Sequence, residues 1–231
     1  MHVPPVSRPV LSNAGMIVEA VLDAVAAGRL PAGSKLGEDQ LSRFFSVSRT
    51  VVREALKELK HFGVVDLFPN RGAFVACPTP EEVLHVYAAR RIIETAIVED
   101  VARHVTANDI RTLRRHVALQ HAAYERRNRR EYIRLMGEFH ILIARLAGNP
   151  VLVGILERLI AQTSLMTALF EDPHDGCPID DHNRLIQRLV AGDAKGCVAI
   201  MAKHLDGNRR RFRIPMNRPR VDLARALRRS G

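Results

Sequence analysis

Two arginines four residues apart form the first motif of this sequence that could carry specific chemistry. Arg49 and Arg53 lie in a stretch, 48–56, whose apolar residues recur at helical spacing, so both side chains leave the same side of one helix. A guanidinium group can bond O6 and N7 of guanine or hold a phosphate. Ser48 and Thr50, at the N-terminal end, could donate to phosphate oxygens, and the helix amides favour the same anion. The pattern predicts a helix that enters a DNA groove.

A further basic position follows that helix at the tip of a predicted hairpin. There Arg71, beside Gly72, could reach the minor groove or the phosphate backbone. Taken alone, the basic face of the helix also fits an ordinary solvated surface with Glu54 and Glu58 as partners. A capping serine, a short preceding helix and the following hairpin favour the DNA-binding interpretation.

Three histidines among apolar residues form the other candidate site. His140, His182 and His204 fall on three different predicted helices. Histidines from separate helices can converge inside a bundle and bind zinc or a related divalent ion through neutral imidazole. A buried histidine without a metal is the commoner case, so both interpretations stay open. Arg90 could hold a ligand carboxylate, or it could form a surface pair with Glu94.

The elements that position the arginines have a recognisable order. Periodicity and turn residues predict helices over 14–27, 38–45 and 49–62, then short strands over 64–68 and 73–76. Helix, short helix, turn, helix and hairpin make a winged helix-turn-helix. Two prolines in the segment 77–80 stop strand and helix alike, and the domain boundary is placed there.

The rest of the chain reads as helix only. The predicted segments are 80–104, 107–127, 129–147, 150–171, 179–191 and 194–213. We expect a mainly α protein with a winged helix-turn-helix over 1–76, a linker over 77–80, an all-α bundle of six or seven helices over 81–213, and a basic tail over 214–231.

Composition narrows the class of protein further. The chain has 231 residues, of which 47% are hydrophobic and 26% charged, with no tryptophan, which excludes a disordered or fibrous protein and disfavours an all-β fold. Nine arginines and one acid in 208–231 supply most of the net charge of +10, so the overall charge is weak evidence for DNA binding. Uninterrupted apolar stretches are too short to cross a membrane, and three cysteines make no disulfide framework, so a reduced, cytoplasmic protein is expected.

The first domain resembles a known family on specific residues. Leu30-Pro31-Ala32-Gly33, the run from Val47 to Leu56, and Arg71-Gly72-Ala73-Phe74-Val75 closely resemble the DNA-binding domain of GntR-type bacterial transcription regulators. The family usually has proline where Val51 stands, and some members have arginine where Asp39 stands. The resemblance implies double-stranded operator DNA as the partner.

The second domain is similar to the helical ligand-binding (FCD) domain of the FadR-like branch of that family. The matching features are Arg90 to Glu94, Phe139-His140, Gly148-Asn149-Pro150, His182, Gly192-Asp193 and Met201 to Leu205. In that branch three histidines and an aspartate line a cavity that often binds a metal, beside a small carboxylate effector. Met136 stands at the aspartate position. The resemblance therefore implies a site of His140, His182 and His204 completed by water or the effector, with Arg90 on the carboxylate; a metal-free pocket is the equal alternative.

The resulting hypothesis is a homodimeric, sequence-specific transcription regulator, a repressor as in most of this family, controlled by a small organic acid. Two other classes of protein were weighed. A metal-dependent hydrolase could use the three histidines, but the sequence has no carboxylate at H-E-x-x-H spacing to act as general base. A nonspecific DNA-coating protein could bind through Arg209-Arg210-Arg211 and Arg228-Arg229, with binding that collapses in salt.

Overall fold

Capping residues set the boundaries of the N-terminal helices. The computed structural model describes residues 12–171, 179–212 and 222–228. Its first elements are α1 (Asn13–Ala26), β1 (Lys35–Leu36), α2 (Glu38–Phe45), α3 (Arg49–His61), β2 (Val65–Phe68) and β3 (Gly72–Val75). Ser12 and Ser48 cap α1 and α3, because each hydroxyl oxygen accepts a hydrogen bond from an amide of the first turn. The predicted winged helix-turn-helix is confirmed.

The wing is an antiparallel sheet in the order β1, β3, β2. Val65 pairs with Val75, and Leu36 pairs with Ala73. Strand β1 was not predicted, because two residues carry no periodicity and their pairing partner lies far along the chain. Apolar residues of α1, α3 and the sheet share one core beneath the recognition helix.

Six helices build the second part of the molecule, as expected. They are α4 (Pro80–Val101), α5 (Ala107–Glu125), α6 (Arg129–Leu146), α7 (Pro150–Phe170), α8 (Ile179–Val190) and α9 (Ala194–Arg209). At the start of α4, Thr79 and Glu82 form a reciprocal capping box directly after the predicted linker. The predicted ends extend up to four residues too far, as helix ends often do.

Helix α7 joins the two parts of the protein. It alone among the described helices is long and apolar enough to cross a membrane by length and composition. Its buried residues divide between two cores: Leu165 and Ala168 pack with the winged domain, whereas Leu156, Ile160 and Met166 pack inside the bundle. These contacts bury about a third of its apolar stretch, while Val151 and Ile155 near its start stay exposed.

Part of the predicted basic tail, 214–231, forms a short helix that packs on the winged domain. Within the described residues 222–228, α10 (Leu223–Leu227) buries Leu223, Ala226 and Leu227 in the core of the winged domain. Arg29 Nε donates to the carbonyl of Ala226 at 2.8 Å. The other residues of the predicted tail, 214–221 and 229–231, lie outside the described part of the chain, as does residue 213 at the end of the predicted bundle.

Candidate functional site

The exposed side of α3 holds the first group of candidate residues. Arg49 and Arg53 are both more than half exposed and point away from the core residues Val52 and Leu56. The hydroxyl of Ser48 is used as the cap of α3, while Thr50 is exposed beside it. The backbone amides and two arginines thus face solvent together at one end of the helix.

Both arginines have acidic partners at the start of α2. Arg49 Nε lies 2.7 Å from Asp39 Oδ1, and Arg53 Nε lies 2.8 Å from Glu38 Oε2. Exposed ion pairs of this kind contribute at most about 1 kcal/mol, so phosphate or guanine could replace the carboxylates. Asp39 is the position where related sequences can carry arginine, and here it pairs with the recognition helix.

The hairpin between β2 and β3 presents the remaining candidate for DNA contact. Arg71 lies over the rings of Phe68 and Phe74, 5.2 Å and 5.6 Å from their centroids. These aromatic contacts fix the stem of the side chain and leave it exposed. Gly72 has a φ of +93°, which other residues rarely adopt, so the tight wing tip depends on glycine there.

The structure brings the three predicted histidines together. His140 on α6, His182 on α8 and His204 on α9 are all buried, and one ring nitrogen from each lies within 4.8 Å of the others. Phe139 stacks on His182 with ring centroids 3.9 Å apart and restricts its ring. The helices therefore form a set of nitrogen donors of the kind that zinc prefers.

Each of the three imidazoles is oriented by an oxygen acceptor. The contacts are His140 Nδ1 to Glu94 Oε2 (2.5 Å), His182 Nδ1 to Gln120 Oε1 (3.0 Å), and His204 Nδ1 to Asp181 Oδ2 (3.4 Å). This network assigns the proton of each neutral ring to Nδ1, so Nε2 is the nitrogen whose lone pair could bind a metal. Asn208 Nδ2 donates to Nε2 of His204 at 3.0 Å, which agrees with that tautomer.

The residues that hold the imidazole rings in place were not predicted from the sequence. Gln120 Nε2 donates to the carbonyl of Leu135 at 3.0 Å, which turns its amide oxygen toward His182. His116 of α5 is also buried, and its Nε2 makes a 2.8 Å hydrogen bond to the same carbonyl. No local motif marks these residues, because their partners lie far along the chain.

Arg90 is buried rather than part of a surface pair. Its Nε donates to Glu94 Oε1 at 2.6 Å, and its Nη1 donates to Thr163 Oγ1 at 2.9 Å. Within the described part of the chain, Arg90 Nη2 and His182 Nε2 are buried side-chain atoms without a hydrogen-bond partner. Buried polar groups are rarely left unpaired, so both atoms suggest a missing ligand.

The protonation states follow from burial and the neighbouring charges. Burial would raise the pKa of Glu94, but the adjacent Arg90 guanidinium and His140 ring outweigh it and lower that pKa to about 2. Burial lowers the pKa of His140 to about 4, although the Glu94 carboxylate opposes the shift. Burial, with the nearby rings of His204 and His140, places the pKa of His182 well below its usual value. At neutral pH the site holds a carboxylate–guanidinium pair and neutral His140 and His182 rings.

A cavity opens beside this cluster. Its lining combines polar and apolar residues of α4, α6, α7 and α9: Tyr87, Arg90, Tyr132, Ile133, Met136, Gly137, His140, Thr163, Ser164, Thr167, Glu171, His204 and Asn208. Met136 occupies the place where the resemblance called for an aspartate. Glu138 forms an ion pair with Arg134 on the exposed side of α6 and does not replace that ligand.

A winged helix-turn-helix with an open recognition helix, joined to a helical domain that contains a cavity of mixed polar and apolar lining, defines a transcription regulator with a ligand-binding domain. Residues 13–75 match the gntR family of bacterial regulatory proteins, and residues 85–207 match the FCD domain. The chain belongs to this family. Its members are DNA-binding regulators, so the hydrolase alternative has no support.

Individual relatives agree with this assignment. The HTH-type transcriptional repressor NanR of Escherichia coli K12 is 25% identical over 225 residues, which cover 87% of this chain and 84% of the relative. NanR of Shigella dysenteriae gives the same values. In fold, the chain is similar to Escherichia coli McbR/YncC (TM-score 0.69, 20% identity, covering 86% of this chain and 96% of that one). A putative GntR regulator from Rhodococcus sp. RHA1 is also similar (TM-score 0.70, 23% identity, covering 85% and 93%).

Proposed function

We propose that this protein is a cytoplasmic, homodimeric repressor whose operator affinity changes when a small carboxylate binds beside a divalent metal in the helical domain. The observation that carries the proposal is the buried histidine cluster, in which every Nδ1 has an oxygen acceptor and Nε2 of His182 has no partner. A core that needed only packed imidazoles would not leave a buried nitrogen unsatisfied.

His140, His182 and His204 would hold the metal, which supplies a positive centre for an anionic ligand. Because Met136 stands where a carboxylate ligand would be, the three histidines would leave a divalent ion without a directly bound anionic ligand. An effector carboxylate would balance the charge of the ion and fill an open coordination position. Metal and acid should therefore each bind more tightly when the other is present.

The other groups of the cavity favour a short, hydroxylated acid. Nη2 of Arg90 can donate to one carboxylate oxygen, while Nε and Nη1 stay on Glu94 and Thr163. Ser164, Thr167 and Asn208 add hydrogen-bonding groups to the cavity wall. A long alkyl chain would leave these polar groups unpaired, whereas ligand hydroxyl groups would satisfy them.

On the DNA side, we assign groove and phosphate contacts to Ser48, Arg49, Thr50 and Arg53, and wing contacts to Arg71 with Gly72. The first four lie on the exposed start of α3, and the last two form the wing tip. Two copies related by two-fold symmetry would place two recognition helices on successive major grooves. Light scattering should then give twice the chain mass of 25.8 kDa; a single-chain mass would refute the dimer.

A thermal-shift screen tests the effector site. Untagged protein is stripped with chelator and then scanned with short hydroxy acids, with and without Zn²⁺. The proposal expects a rise in melting temperature that is larger with acid and metal together than the sum of the two alone. His140→Ala should abolish the metal effect, whereas the surface variant His85→Ala should keep it. The proposed site would be refuted if neither the native protein nor His85→Ala bound metal and neither responded to any acid.

A further inference from the structure

One side chain connects helix ends that belong to the two domains. Arg129, the first residue of α6, donates from Nη1 to the carbonyl of Ala26 at 3.0 Å. From Nη2 it donates to the carbonyls of Thr167 at 3.1 Å and Glu171 at 2.8 Å. Ala26 is the last residue of α1, while Thr167 and Glu171 belong to the C-terminal end of α7.

These contacts have a clear electrostatic reason. The carbonyls at a helix C-terminus carry its partial negative charge and largely lack partners within the helix. Thr167 O also accepts the backbone N–H of Glu171, so Arg129 is its second donor. One guanidinium group therefore caps α1 of the winged domain and α7 of the bundle together. A lysine could not do the same, since a single ammonium group lacks the planar set of donors that spans three carbonyls.

The same end of α7 also forms part of the effector pocket. Thr167 and Glu171 line the cavity, whereas Leu165 and Ala168, on a neighbouring face of this helix end, pack in the core of the winged domain. Ile133 of α6 belongs to both the cavity wall and that core. A change in the spacing of α6 and α7 must therefore move groups that contact α1.

A second arginine strengthens the connection to α1. Arg130 pairs with Glu19 and Asp23, which lie one turn apart on α1. Helix α1 in turn shares the apolar core beneath the recognition helix α3. Thus α1 lies between the pocket wall and the DNA-binding surface.

We propose that Arg129 is the positioning residue through which the spacing of α6 and α7 in the effector pocket sets the placement of the DNA-binding domain. This proposal rests on the proposed function in one respect: the small carboxylate with its metal is taken as the ligand that changes the spacing of α6 and α7. In this proposal the main route of coupling is the α1–α6–α7 contact and not the short segment 77–80, which connects the two domains covalently. This coupling requires two arrangements with different operator affinities.

A substitution that acts as a wedge can take the place of the unknown ligand. A Cβ atom at Gly137 of α6 would lie 2.7 Å from Ile160 Cγ2 of α7, so Gly137→Ala requires either a shift of the Ile160 side chain or a wider spacing of the two helices. Operator affinity is measured on a duplex that the full-length protein selects from a random pool. We expect Gly137→Ala to change it about 5-fold or more in the native background, and by less than about 2-fold in an Arg129→Met background.

Matched variants separate this coupling from general damage. Arg134→Met removes an exposed arginine of the same helix and should leave the wedge effect intact. Ile160→Ala combined with Gly137→Ala removes the clash and should restore native affinity. If Gly137→Ala does not fold, Ser164→Val, which adds bulk at the same contact, replaces it.

A wedge without effect in the native background, or an equal effect with and without Arg129, would overturn the proposal. Arg129→Lys should resemble Arg129→Met, because it keeps the charge but loses the shared cap; full coupling with lysine would also count against the proposal. A pocket that binds neither acid nor metal would refute the proposed function alone, since the wedge needs no ligand.

Discussion

The DNA-binding surface and the effector pocket are built in opposite ways. The residues assigned to the groove come from one continuous stretch, 48–53, and lie exposed on one helix. The histidine cluster beside the pocket and the residues that orient it come from α4, α5, α6, α8 and α9. Its three rings are almost fully buried: His140, His182 and His204 are 4%, 1% and 3% exposed. Local sequence is sufficient for the first site, whereas the second exists only after the bundle has packed.

This difference has an energetic consequence. At the DNA-binding surface, water screens the ion pairs of Arg49 and Arg53, so a ligand phosphate can replace their partners at little cost. In the pocket, the Arg90–Glu94 pair has lost its hydration, and removal of either partner leaves a buried charge uncompensated. Substitutions within the buried Arg90–Glu94 pair should therefore act mainly on folding, and substitutions of Arg49 or Arg53 mainly on DNA binding.

The largest effect should come from Glu94→Gln. This change leaves the Arg90 guanidinium buried beside a neutral amide and removes the carboxylate acceptor of His140. The free energy of unfolding in urea should fall by about 3 to 5 kcal/mol. Glu138→Gln, on the exposed side of α6, should change it by less than about 0.5 kcal/mol. Equal effects of the two changes would contradict the contrast drawn between the sites.

The same contrast explains what the sequence could predict. The helix-turn-helix, the wing and the six bundle helices follow from periodicity, caps and turn residues, all of which act over a few positions. The three histidines were found because each stands among apolar residues at helical spacing. Only β1 and the packing of α10 were missed in the fold, since both depend on partners distant in sequence.

The orienting residues of the pocket could not be predicted in this way. Glu94 contacts His140 across 46 positions, and Gln120 contacts His182 across 62. Glu94 was considered only as the neighbour of Arg90 one turn away, in a pair assumed to be solvated. Whether such a pair is weak or essential depends on burial, and burial depends on how six helices pack.

The pH dependence of stability gives an effect of intermediate size. In the folded, metal-free protein the pKa of His140 is lowered from 6.5 to about 4, and that of His182 is also lowered, so both stay neutral where the unfolded chain binds protons. The contribution of these two histidines to the free energy of unfolding is therefore complete above about pH 6.5. Below that pH it falls by about 1.4 kcal/mol per pH unit for each histidine. Glu94, with its pKa lowered from 4.5 to about 2, extends the loss below pH 4.5.

Urea unfolding of chelator-treated protein between pH 7 and 5 measures this slope. His140→Gln should lower the slope of unfolding free energy against pH by the contribution of one histidine. The variant His85→Gln, at an exposed position, should leave the slope unchanged. A slope that is the same in all three proteins would show that the buried rings are not responsible.

The smallest effect on folding should accompany a clear effect on DNA binding. Arg53→Ala removes an exposed side chain and one screened ion pair, so unfolding should change by less than about 1 kcal/mol. Operator binding should weaken by about 1 to 3 kcal/mol with relaxed specificity at one base pair if Arg53 bonds guanine, or weaken equally on all duplexes with a smaller salt slope if it bonds phosphate. Glu38→Gln, which frees Arg53 from its partner, should instead strengthen binding, because no carboxylate then competes with the DNA. Unchanged affinity in both variants would remove Arg53 from the DNA-binding surface, whichever contact it was expected to make.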